Sequence, residues 1–110
     1  MQTIAETAHF LRRAAKLMTD EERGRLVEMI AADPTCGVLL EGTGGLRKVR
    51  FAIGSKGKSG GVRVVYFFFA EGAPIFLLEV FAKGEKANLT KAERNELASV
   101  SRQIVEQWSV

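Results

Sequence analysis

The chain is poor in the residues that build most catalytic and metal centres. Cys36 is its only cysteine and His9 its only histidine. A single thiol excludes an internal disulfide and a thiolate metal site, and one imidazole leaves no pair for metal ligation or acid–base relay. Cys36 therefore reads as a quiet turn residue, and His9 as a surface or half-buried helix residue. Only two prolines interrupt 110 residues of which 46% are hydrophobic, which argues for a folded core and against disorder. No apolar run approaches the ~18 residues needed to span a bilayer. The beginning, MQTIAETAHFLRR, lacks the basic start and apolar block of a signal peptide, so a cytoplasmic protein is expected. The length suits one domain, taken as residues 1–110.

The most informative absence is of acid. Between Gly42 and Phe69 there is no Asp or Glu, yet the stretch carries Arg47, Lys48, Arg50, Lys56, Lys58 and Arg63. The rest of the chain has ten bases against thirteen acids, so the net charge of +3 conceals a basic patch on a slightly acidic molecule. Alternation puts Val49, Phe51 and Ile53 on one side of a strand and Lys48 and Arg50 on the other. Fixed cations gathered on a sheet surface are an electrostatic footprint for a polyanion, most simply nucleic-acid phosphate.

Periodicity orders the chain as helix, helix, three strands, helix, after a weak strand signal at Gln2 to Ala5. His9 to Met18 is helical, with Phe10, Ala14 and Leu17 on one face. Thr19 and Glu22 form a capping box for a second helix that runs to about Ala32 and buries Leu26, Met29 and Ile30. Asp33-Pro34 stops it, since a proline disfavours helical backbone in the residue before. Thr35 to Gly45 is a connector. Strands follow at Leu46 to Ile53, Val62 to Ala70 and Pro74 to Lys83, with Glu71-Gly72 as a turn. VRVVYFFF is almost wholly apolar and reads as a central strand covered on both faces, with Phe67, Phe68 and Phe69 as core. Thr90 and Glu93 form another capping box, and the last helix aligns Leu97, Val100, Ile104 and Trp108, the tryptophan as its anchor. The expected class is α+β: an antiparallel sheet packed against two N-terminal helices, with a C-terminal helix.

Three blocks in this order, GTGGLRKVRFA, KGKSGGVRVVYFF and FLLEVFAKGEKANLTKAE, resemble the RelE/ParE toxin superfamily and, within it, the HigB-type branch of ribosome-dependent mRNA interferases. The resemblance implies a RelE-like fold and a toxin of a type II toxin–antitoxin system that inhibits translation by cutting mRNA on the ribosome, with no cofactor and no metal. It implies a cognate helix-turn-helix antitoxin as partner, together with the ribosome and mRNA; DNA is met only through the antitoxin, and no membrane is involved. Carried over by motif position, the catalytic cations are Lys48, Arg50, Arg63 and Lys83, and Arg47, Lys56, Lys58 and Lys86 bind substrate. Where several relatives carry a tyrosine, this chain reads Asn88, Leu89 and Thr90.

RNA cleavage by its own 2′-hydroxyl needs alignment, a proton acceptor and compensation of charge on a pentavalent phosphate. Arg50 and Arg63 suit the last, because a guanidinium fork matches two phosphate oxygens and stays charged. Lys48 or Lys83 could accept the proton if neighbouring cations favour its neutral form. Tyr66 alternates to the opposite side of its strand from Arg63. Glu79 is either a base or orienter for Arg63 or Lys83, or a strand-surface ion pair guarding an edge; Glu85 has the same two readings. Gly54 to Gly61 could cradle phosphate through backbone N–H groups, though its spacing is no P-loop. Two other readings fit the same features: a ParE-like inhibitor of a protein target such as gyrase, and a non-catalytic nucleic-acid-binding module.

Overall fold

The computed structural model describes residues 2–54, 61–86 and 88–108. Its elements are β1 (Ile4–Glu6), α1 (Ala8–Leu17), α2 (Asp20–Ala32), β2 (Val38–Leu39), β3 (Leu46–Phe51), β4 (Val62–Phe67), β5 (Ile75–Ala82) and α3 (Lys91–Trp108). Each helix starts where its side chains satisfy the free N–H groups of the first turn. Thr7 accepts from Phe10 N–H, Thr19 and Glu22 close a capping box, and Thr90 and Glu93 close another.

The sheet order is β1-β5-β4-β3-β2. Strands β3, β4 and β5 form the expected antiparallel meander, with β4 at its centre and buried along its whole length. One edge, β1, takes up the strand signal at Gln2 to Ala5, and the other, β2, is an addition to that expectation. β1 joins β5 in parallel, so the five-stranded sheet is mixed, and two residues of the connector pair with β3 as β2. A two-residue strand carries too little pattern to be read from sequence.

Alternation along β4 divides the core. Val62, Val64 and Tyr66 meet Phe10, Ala14, Leu26 and Ile30 of α1 and α2. Val65 and Phe67 meet Leu46, Leu78, Phe81 and Ala98 beneath α3. Of the three phenylalanines only Phe67 is fully buried; half-buried Phe69 stacks on it with ring centroids 5.2 Å apart, and half-buried Phe68 packs on the other side. Trp108 departs from expectation. It is 52% exposed, because the apolar stripe of α3 has run past the sheet by its last turn.

Beyond Leu77 the outer edge of β5 has no strand partner, since β1 pairs only with Ile75 to Leu77. Side chains take the place of a strand. Arg13 Nε donates to Val80 O at 3.3 Å, Val80 N–H donates to Glu79 Oε1 at 3.0 Å, and Ala82 N–H donates to Glu85 Oε1 at 3.0 Å. An edge whose amides are already occupied offers no template for another chain.

Candidate functional site

Register assembles the site. Arg50 in β3 stands directly opposite Arg63 in β4, and Lys48 follows two residues away on the same face. Phe81 stands opposite Arg63 on the other side, so Lys83, two residues on, returns to that face just past the end of β5. Lys83 N–H reaches Gly61 O at 3.4 Å, which extends the β4–β5 pairing to that point. Lys48, Arg50, Arg63 and Lys83 thus line one open cleft of about 630 Å³, with Val38 from β2 and Asn88 completing its walls.

Some cations of this chain are held in ion pairs, while Arg12, Lys16, Arg47, Lys91, Arg94 and Arg102 have no carboxylate partner among the described residues. Arg13, Arg23, Arg25 and Lys86 each pair with a carboxylate. Among the described residues no carboxylate lines the cleft and none of its cations has an acidic partner. Arg63 is the most confined: it is 5% exposed, and its Nη1 is buried without a hydrogen-bond partner among the described residues. A buried, unpaired charged donor costs several kcal/mol in isolation, roughly the scale on which whole folds are marginal.

Other residues expected at the site lie elsewhere. Arg47 stands opposite Tyr66 on the other sheet face, where its Nη1 donates to Gly37 O at 2.9 Å; adjacent strand residues point to opposite faces, so it cannot join Lys48. Lys86 lies 4.9 Å from the centroid of the Phe81 ring and pairs with Glu93 at the start of α3. Lys56 and Lys58, with most of the Gly54 to Gly61 loop, lie outside the described residues.

Two candidate proton-transfer groups are occupied in structural roles. Tyr66 is fully buried; its hydroxyl donates to Pro34 O at 2.7 Å and accepts from Gly37 N–H at 2.9 Å. Burial pushes this phenol above its ordinary range, so it stays protonated and pins the connector to the sheet. Glu79 turns to α1, 2.9 Å from His9 Nε2 and 3.9 Å from Arg13 Nε, and so realises its ion-pair reading. His9, without a role in the sequence reading, is thereby one of its two partners. Glu85 accepts from Arg13 Nη2 through both oxygens at 2.6 Å; this bond and the one from Ala82 N–H hold its carboxyl below the usual carboxylate range.

The side chain that sequence reasoning missed is Asn88. It sits where relatives were expected to carry a tyrosine, and its Oδ1 accepts a 2.6 Å hydrogen bond from Lys48 Nζ. Its position in a loop between a basic block and a helix cap was visible, but its partner lies 40 residues away and no local pattern marks such a contact. Cys36 also reaches the cleft wall, with its thiol 3.7 Å from the Tyr66 hydroxyl. Among the described residues, no three His, Cys, Asp or Glu side chains gather to hold a metal ion, and no helix is long and apolar enough to cross a membrane. A family model described as the RelE toxin of the RelE/RelB toxin–antitoxin system matches residues 3–108.

Proposed function

The chain belongs to the RelE toxin family of toxin–antitoxin systems, and from that premise we propose that it inhibits translation by cutting mRNA presented by the ribosome. The observation that carries this reading is that Lys48, Arg50, Arg63 and Lys83 line one cleft with no carboxylate among its described residues, and that Arg63 Nη1 is buried without a hydrogen-bond partner among the described residues. An inhibitor of a protein target has no need for clustered phosphate ligands with one donor held in reserve.

In the proposed reaction the 2′-oxygen bonds to phosphorus as the bond to the 5′-oxygen breaks. One proton leaves the 2′-hydroxyl and one is delivered to the departing 5′-oxygen. Arg63 and Arg50, facing one another, are assigned the non-bridging oxygens, whose negative charge rises in the pentavalent state. Guanidinium groups stay charged, so proton transfer is assigned to Lys48 and Lys83, the ammonium groups of the same cleft. Aligned ribosomal mRNA supplies the in-line geometry that a shallow cleft does not impose. The proposed partner is an antitoxin whose acidic segment covers the cleft, so that neutralising the cations and excluding RNA are one act.

Induced expression without a partner tests the reading. Growth arrest with mRNA cut inside coding regions supports it. Arrest with intact mRNA and damaged DNA selects a gyrase-type target, and normal growth at confirmed soluble expression defeats the toxin activity altogether.

A further inference from the structure

Among the described residues, Asn88 is the side-chain amide lining the cationic cleft. Its contact with Lys48 has a defined chemical sense. An ammonium has three donors and no acceptor, so the amide must present its oxygen to Lys48, and the 2.6 Å Oδ1–Nζ contact has that sense. Lys48 needs such a hold. Its stem is long and flexible, Arg50 and Arg63 repel its head, and among the described residues Asn88 supplies its only hydrogen bond.

The neutrality of the acceptor matters as much as its position. A carboxylate at this place would hold the ammonium more tightly, but it would cancel the charge that an incoming phosphate meets. An amide oxygen anchors Lys48 and leaves the cleft's positive charge whole. We propose that Asn88 is a positioning residue for Lys48, holding its ammonium in place within the cleft and setting where the scissile phosphate and its neighbouring hydroxyl meet it. Asn88 acts through Lys48 and touches no reacting atom. The inference rests on the nuclease reading of the cleft.

The test is a double-mutant cycle in single-turnover cleavage of mRNA on programmed ribosomes at saturating protein, which removes binding from the comparison. Asn88→Leu keeps the side-chain shape and removes the acceptor. It should slow cleavage on the order of 10²-fold, the loss that accompanies a misplacement of about 1 Å at a reacting centre. In a Lys48→Ala background the same change should cost nothing further. Asn88→Asp restores the acceptor and should recover most of the saturated rate, while its half-saturating concentration is higher than that of the wild type at low salt and rises less steeply with salt. Independent losses that multiply in the double variant would overturn the proposal, as would an Asn88→Leu protein of wild-type rate. The anchor is read separately from the ¹⁵N signal of the Lys48 ammonium in the free protein: distinct and slow to exchange in the wild type, merged with solvent-exposed lysines in Asn88→Leu. A wild-type protein that cuts nothing on ribosomes while this signal stays distinct defeats the nuclease reading and not the anchor. A wild-type signal indistinguishable from free lysines overturns the anchor itself.

Discussion

Arg50 and Arg63 are direct cross-strand partners, two like charges facing each other across β3 and β4. Like charges placed opposite in a sheet destabilise the pairing, and here one of the two is also buried. On the proposed reading, an anion bridging both guanidinium groups would relieve that repulsion.

Stability and cleavage should therefore respond in opposite directions at Arg63. Arg63→Met removes a buried charge whose Nη1 has no hydrogen-bond partner among the described residues, and should raise the urea midpoint by a change equivalent to about 1 kcal/mol or more. The same variant should lose on the order of 10²–10³ in single-turnover cleavage. Arg63→Lys should recover little of that loss, because one ammonium cannot reproduce a two-pronged fork. A destabilised Arg63→Met protein would show that the guanidinium serves the fold.

Tyr66 should show the converse separation. Tyr66→Phe leaves the Gly37 N–H and the Pro34 carbonyl without their buried partner and should cost about 1–3 kcal/mol in chemical denaturation. Cleavage per folded molecule should stay at the wild-type level, since the phenol faces away from the cleft. A large loss of rate in a fully folded Tyr66→Phe protein would return it to the catalytic set.

Acid should loosen both ends of the segment that joins β5 to α3. Glu85 is held low by Ala82 N–H and Arg13, and Glu93 by Lys86 and Thr90 N–H. A carboxyl whose folded pKa is depressed contributes stability that is fully present above its unfolded value, near 4.5, and is lost as pH falls through the lower folded value. The urea midpoint should therefore decline below that pH, and less steeply in a Glu85→Gln, Glu93→Gln double variant. Equal slopes in the two proteins would place the acid sensitivity elsewhere.

Antitoxin binding should carry the electrostatic signature of the cleft. Affinity should fall as ionic strength rises, and Lys83→Ala, which removes an exposed cation, should flatten that dependence. Titration calorimetry across a salt series measures both. A complex whose affinity ignores salt, with Lys48, Arg50 and Arg63 still open to a soluble anion, would refute occlusion of the cleft.

Local signals determined much of this protein. Capping boxes at Thr19 and Thr90, the stop at Asp33-Pro34 and the unbroken apolar run of β4 each act over a few residues, so helices, central strand and class were legible. The absence of acid from Gly42 to Phe69 likewise exposed the basic surface, and alternation put Lys48 and Arg50 on one side. Long-range pairing decided the rest. The edge β1 carried only a slight strand signal and β2 is too short to carry one, and their pairing with β5 and β3 was set by the sheet. Register excluded Arg47 from the cleft and set Arg50 against Arg63, since a shift of one residue exchanges the two faces. Glu79 found His9 and Arg13 because α1 lies along the open edge of β5, and Asn88 found Lys48 because the loop before α3 returns over the cations. Composition can place charge on a surface, but only the packed sheet decides which charges share a face and line one cleft.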